Sequence, residues 1–260
     1  MASMNEATKT NRIRGEEFKL RYLSGRVIDI GCGKDLVVPG AIPFDLPQGD
    51  AQWVLDDFEP ESFDCVHSCH CLEHMKDVKI ALCNWWGLVK PGGYLIIVVP
   101  DEDLYEQGIW PSIFNSDHKA TFNLRKLKSW SPVSYDIQAL VGALPGAEII
   151  EARLQDEGYD RRLMQRTGWG QFLFSLGLLR QRAFGRMLRS RRLPDCRLRI
   201  LIRRVNLALH RIEVTLGKWE PTDQTRGAAI AQIQVVAQKQ ERSKKSEVYL
   251  GSTRASSLAL

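Results

Sequence analysis

Val27-Ile28-Asp29-Ile30-Gly31-Cys32-Gly33 reads as a buried strand that ends in a tight turn almost bare of side chains. A continuous run of β-branched residues is how a central parallel strand looks when both of its faces are covered. The glycines then remove the Cβ atoms that would keep a ligand away from the main chain. A phosphate-binding loop of the form G-x-x-x-x-G-K-[ST] is excluded, because Gly33-Lys34 has no first glycine at that spacing and no hydroxyl after the lysine. A dinucleotide fingerprint, G-x-G-x-x-G, would need a glycine where Leu36 stands, so the close approach of a helix to a pyrophosphate is missing.

What remains is D-x-G-x-G, with Asp29 set to accept a hydrogen bond from a cationic amine of the ligand. This resembles motif I of the class I S-adenosylmethionine-dependent methyltransferases, and further segments follow in that family's order. Ala41-Ile42-Pro43-Phe44-Asp45 resembles its second strand, whose terminal acid, Asp45, would accept from the ribose hydroxyls. Gly49-Asp50-Ala51 resembles the G-D-A segment near the adenine, with Asp50 the candidate there and Asp57 the alternative. Ser62 to Ser68 looks like the fourth strand, followed by Cys71-Leu72-Glu73-His74, similar to the L-E-H segment of many type 11 members. Leu88-Val89-Lys90-Pro91-Gly92-Gly93 and the apolar run to Pro100 match the family's turn and fifth strand. The cofactor implied is S-adenosylmethionine, held by Asp29, Gly31, Cys32, Gly33, Asp45 and Asp50.

The resemblance implies an α/β, Rossmann-like methyltransferase fold: a mostly parallel sheet, an antiparallel last strand, and a basic helical insertion before that strand. Residues 1–24 are expected as an N-terminal helix or cap and 25–160 as the methyltransferase core. Residues 161–220 form the insertion, 221–240 the last strand of the core, and 241–260 a disordered tail rich in Ser, Lys and Arg. Only Lys34 to Gly40 separates the first two strands, where the family has a full helix, so the ligand-binding half is trimmed.

With 260 residues the chain can bury a large core. It shows neither an apolar run of the ~20 residues that cross a bilayer nor a signal peptide's apolar stretch. A cytoplasmic protein with reduced thiols is the expectation, since its six cysteines have no disulfide-framework spacing. His67, Cys69, His70, Cys71, Glu73 and His74 invite a metal reading. It is set aside, because alternate strand residues point to opposite faces and no second ligand pair sits at zinc spacing elsewhere.

Methyl transfer from a sulfonium is an in-line displacement, for which most catalysis comes from positioning. A base would remove a proton if the acceptor is a hydroxyl, and histidine is the usual side chain at neutral pH. The candidate catalytic residues are His70, after the fourth strand, and His118, in a D-H-K segment resembling that of type 11 members from surface-glycan gene clusters. Asp117 stands beside His118 and would raise its pKa. The Asn/Asp-Pro-Pro-aromatic segment of base-amine methyltransferases is absent; Ser68-Cys69-His70-Cys71 stands in its place.

Within the insertion, apolar residues recur at helical spacing: Phe172, Leu176, Leu179, Ala183 and Met187, then Leu198, Leu201, Ile202, Val205, Leu209 and Ile212. Arginines crowd between them, and Leu193-Pro194-Asp195 breaks the pair into a hairpin. Three readings stay open: the stripes pack on each other or on the core, the pair rests on anionic lipid through residues 165–215, or its arginines contact nucleic acid. Sparse aromatics in the second helix count against nucleic acid. The expected activity is O-methylation of a sugar or lipid-linked glycan intermediate, with a small-molecule or glycan acceptor and peripheral contact with the inner membrane face. The alternatives are a catalytically silent docking module and a nucleic-acid methyltransferase.

Overall fold

The computed structural model describes residues 6–165, 168–189, 196–217 and 221–241. Six strands form one sheet in the order β2-β1-β3-β4-β8-β7. They are β1 (Val27–Ile30), β2 (Ile42–Phe44), β3 (Phe63–Cys69), β4 (Val89–Pro100), β7 (Ala147–Gln155) and β8 (Gln232–Lys239). The pairs β1/β2, β1/β3 and β3/β4 are parallel, whereas β8 runs antiparallel to both β4 and β7. The sheet is thus parallel with one reversed strand, as the resemblance implies. β5 (Thr121–Asn123) and β6 (Ser134–Asp136) make a small parallel pair beside it, and α4 (Ile137–Gly142) follows β6.

The central strands are apolar on both faces because both are covered. Ile28, Ile30, Val66, Leu95, Ile97 and Val235 face α3 (Val78–Leu88), whose Leu82 and Trp85 enter the larger core. Asp77 caps α3 by accepting from the amides of Lys79 and Ile80. On the other face Val27, Cys65, Ile96 and Val236 pack under α2 (Glu16–Tyr22) through Tyr22 and Leu23. Alternation along each strand puts Asp29, His67 and Gln234 on this second face as well, beneath the N-terminal helices.

Those polar groups are met by Arg14, between α1 (Glu6–Ile13) and α2, which is 4% exposed. Its Nε donates to Gln234 Oε1 at 2.9 Å, and its Nη1 lies 3.1 Å from His67 Nε2. His67 Nδ1 is 2.7 Å from Asp29 Oδ1, while Asp29 Oδ2 accepts from the Val37 amide at 2.7 Å. Burial lowers the pKa of His67, so the ring is neutral; Nδ1–H donates to Asp29 and Nε2 accepts from Arg14. Burial also lowers Arg14, to about 10, which leaves it charged at neutral pH. The buried charges of Arg14 and Asp29 therefore compensate one another through one imidazole.

No helix intervenes between β1 and β2. A turn runs directly to β2, an edge strand carrying the exposed Pro43, which cannot donate to a further strand. A short 3-10 turn (Ala51–Asp56) then leads to β3. The trimming read from the loop length is the end of the sheet at β2.

Between β7 and β8 the chain forms α5 (Gly168–Arg189) and α6 (Cys196–Gly217). The break at 193–195 lies outside the described residues, as does the tail from 242 on. The first reading of the apolar stripes, that they pack on each other or on the core, is corrected. The helices meet through small and polar groups. A Cβ on Gly170 would come within 2.7 Å of the Gly217 carbonyl oxygen, so only glycine admits this approach. Arg180 pairs with Glu213 at 2.7 Å, Gln181 Nε2 donates to the Gly108 carbonyl at 2.6 Å, and Asn206 Nδ2 to the Trp110 carbonyl at 2.7 Å. Of the predicted apolar set Ile202 is buried, whereas Phe172 (51%), Leu179 (58%), Leu201 (56%) and Ile212 (54%) face outward. No described helix is long and apolar enough to cross a membrane.

Replacing Arg14 by Met leaves Asp29 as an uncompensated buried charge, and should cost about 3 kcal/mol. Urea unfolding measures this, and an unchanged midpoint would show that the Arg14 chain is not what holds the helices down.

Candidate active site

At the carboxyl ends of β1, β2 and β3, where open α/β sheets bind ligands, lies a two-lobed cavity of about 530 and 460 Å³. Gly31, Asp45 and His70 line both lobes. Gly31 has φ +74°, and a Cβ there would stand 2.4 Å from the Cys71 Cβ and 2.5 Å from its Sγ. Glycine is required on both counts, for the left-handed backbone and for room beside Cys71.

Asp45 Oδ2 accepts the Gly33 amide at 2.7 Å, and Oδ1 accepts the Leu46 amide at 2.7 Å. Half-buried at the cavity wall, Asp45 joins the end of β2 to the glycine turn. Gly33 and Cys32 line the smaller lobe. The Cys32 thiol is held above its ordinary pKa by burial, then by the charge of Asp29, and is no thiolate nucleophile at neutral pH. Asp50 lines the larger lobe and caps the 3-10 turn by accepting the Gln52 amide at 2.9 Å. The alternative, Asp57, is not in the lining.

Asp29 touches the smaller lobe, but its carboxylate is 1% exposed, with both oxygens engaged by His67 and Val37. Its observed action is to fasten the turn to the sheet, not to present an open acceptor.

His70 also departs from its expected part. It sits at φ +54°, just past β3, with Nε2 2.9 Å from Gln232 Oε1 and Nδ1 3.5 Å from Glu73 Oε1. Burial works against its charge, but the hydrogen bonding and charge of Glu73, then the charge of Glu6, push its pKa up to about 9. A ring protonated at neutral pH is not a ready base.

His118 does not reach the cavity. Its side chain is buried behind His74, with Nδ1 2.7 Å from Glu106 Oε1. Its carboxylate partner is thus Glu106, whereas Asp117 turns outward to His74 Nδ1 at 2.9 Å and Lys119 at 3.1 Å. That corrects the pairing expected from adjacency in sequence. His74, Asp117 and Lys119 line the outer lobe together, although they come from two distant segments. Main-chain bonds from Lys119 and Ala120 to the Glu73 carbonyl, at 2.7 and 3.2 Å, clamp those segments side by side.

The strand order thus falls where the resemblance implied, and the glycine turn and Asp45 meet at the cavity wall. Residues 7–131 match the family model described as a methyltransferase domain. Those residues carry a methyltransferase domain. Among solved structures the methyltransferase is similar to a SAM-dependent methyltransferase from Archaeoglobus fulgidus, with 14% identity over 90% of this chain and 94% of that one and a TM-score of 0.47. It is also similar to the YcgJ protein from Bacillus subtilis, with 13% identity over 85% and 94% and a TM-score of 0.45. A third is phosphoethanolamine N-methyltransferase 2 from Haemonchus contortus, solved with S-adenosyl-L-methionine, at 13% identity over 77% and 37% and a TM-score of 0.34. Among curated proteins none matches at a significant level.

Gly31→Ala should weaken binding of S-adenosylmethionine about tenfold or more, roughly 1.4 kcal/mol or above, while Cys71→Gly in the same chain restores part of it by clearing the contact. Calorimetric titration of both variants decides; equal affinity for wild type and Gly31→Ala would separate the turn from the cofactor. Asp45→Asn keeps the shape but weakens the acceptor for Gly33 N–H, and a drop of several-fold in the same titration is expected.

Proposed function

We propose that this enzyme O-methylates a sugar hydroxyl on a lipid-linked glycan intermediate while resting on an anionic membrane surface. The carrying observation is the outward apolar face of α5 and α6, with Phe172, Leu179, Leu201 and Ile212 each more than half exposed. Monomeric proteins seldom leave such a patch bare. Exposed Arg204 and Arg211 on α6 suit anionic headgroups. A nucleic-acid surface would be basic rather than apolar at its centre, so this geometry favours lipid.

In this reading the methionyl part of the cofactor lies over Gly31, Cys32 and Gly33, the ribose against Asp45, and the adenine toward Asp50. The acceptor enters past His74, Asp117 and Lys119. Among the described residues, no aromatic side chain other than histidine lines the larger lobe. Carboxylate, ammonium, imidazole and the Gln52 amide suit a polyhydroxyl acceptor, whereas a flipped base would call for stacking rings. The chain's own contribution is to bind and orient both substrates and exclude water, so that the hydroxyl oxygen stands behind the methyl carbon.

Flotation with vesicles of anionic lipid tests the surface. The wild type should float and Leu179→Asp/Ile212→Asp should stay in the soluble fraction, since both positions face outward; wild type recovered only as soluble protein sinks the membrane reading. Transfer of labelled methyl from S-adenosylmethionine to a panel of sugar and glycan-lipid acceptors tests the chemistry. Cofactor binding with no transfer to any hydroxyl acceptor would favour the silent docking module.

A further inference from the structure

Three of the five histidines gather around one carboxylate. Glu73 is fully buried, and neither of its carboxylate oxygens has a hydrogen-bond partner. The nearest opposite charge is the His70 ring, 3.5 Å from Oε1, and the side of the carboxylate toward His74 and His118 is left without a donor. Around its Oε1 stand His74 Nε2 at 3.9 Å, His118 Nε2 at 3.9 Å and His70 Nδ1 at 3.5 Å. The two longer separations are too great for hydrogen bonds. The carboxylate and the two imidazoles instead present ligand atoms that all lie within 4.8 Å of one another.

The far side of each ring is already held. His74 Nδ1 is 2.9 Å from Asp117 Oδ2, and His118 Nδ1 is 2.7 Å from Glu106 Oε1. A proton on each Nδ1 donates outward to its carboxylate, which fixes the tautomer and leaves an Nε2 lone pair aimed inward. Carboxylate-oriented histidines of this kind are the usual support of metal ligands. Moving each ligand inward by under about 1 Å brings the set to the ~2.0–2.2 Å of zinc–nitrogen and zinc–oxygen bonds. His74 is also a wall of the larger lobe, so such a centre would open toward the acceptor side of the cavity.

We infer that Glu73, His74 and His118 form a binding site for a zinc-class divalent cation, with one coordination position open to the cavity for an oxygen of the acceptor. Two imidazoles and one carboxylate are a known catalytic zinc set when a position is left open. The group transfer balances without any redox partner. The acceptor oxygen forms its bond to the methyl carbon as the carbon–sulfur bond breaks. The electron pair goes to sulfur, which becomes a neutral thioether, and the hydroxyl proton leaves to solvent at the cavity mouth. A cation on that oxygen favours the alkoxide at neutral pH. The alternation of β3 still sends His67 and Cys69 to the helix-covered face, so the site uses neither.

The cation site rests on the cavity geometry and not on the identity of the acceptor, so its test is separate from methyl transfer. Full-length protein stripped with chelator is titrated with Co²⁺, and with Zn²⁺ in competition, followed by the visible absorption of the cobalt complex. The expected result is one equivalent bound, displaced by Zn²⁺. Binding should weaken at least about tenfold in Glu73→Gln and in His74→Asn, with S-adenosylmethionine still bound by both. His74 sits at the half-buried rim, so His74→Asn keeps the test sound should Glu73→Gln unfold. Absence of a saturable cobalt spectrum in the wild type, or binding of equal affinity in His74→Asn, overturns the inference. Loss of cofactor binding in the wild type would instead overturn the methyl-donor site and leave the cobalt result standing.

Discussion

The chain of contacts from Arg14 through His67 to Asp29 and the Val37 amide is the constraint on which the rest of this molecule depends. A sheet covered on both faces normally excludes charge. Here one face holds a carboxylate, an imidazole and an amide side by side, at Asp29, His67 and Gln234. The guanidinium that answers them arrives from outside the sheet. It fixes where α1 and α2 lie and supports the glycine turn from beneath through Asp29. The turn can therefore spare its own side chains. Gly31 and Gly33 leave their main chain to the cavity because the order of that loop is imposed by buried charge and by Asp45.

Much of this was legible in the sequence, for reasons that differ between parts. The β1 turn was legible because a strand buried on both faces and ended by two glycines has few other uses. The reversed last strand was legible through the resemblance alone, since nothing in Gln232–Lys239 itself declares a direction. The trimmed edge followed from a count of residues between strands. The role of Asp29 was not legible. Its spacing to Gly31 is the same whether the carboxylate faces a ligand or a buried histidine, and only the position of His67 across the strand pair decides.

The histidine cluster shows a different limit. Period-two alternation was a sound guide along β3 itself, and His67 obeys it. It ended with the strand: the 3-10 turn Leu72–His74 re-aims Glu73 and His74, and His118 joins them from a loop far along the chain. Adjacency then misled a second time, since Asp117 and His118 point to opposite sides of the loop. In the helix pair the periodicity was right and its direction was left open. Helical spacing states that a stripe exists but not which side of the helix the protein covers, and the glycine at 170 with the polar set at 180, 181 and 206 was the signal that the inner face is the polar one.

The outward apolar face of α5 and α6 divides the thermodynamics of the molecule between two surroundings. Heat capacity changes with apolar surface removed from water. The core gives up its share when the chain folds, whereas the outer face of α5 and α6 stays hydrated in the folded protein. The hairpin thus adds little to the heat capacity of unfolding for its length. Its share is released only when the outer face is covered, and the negative heat-capacity change of that second event belongs to whatever covers it.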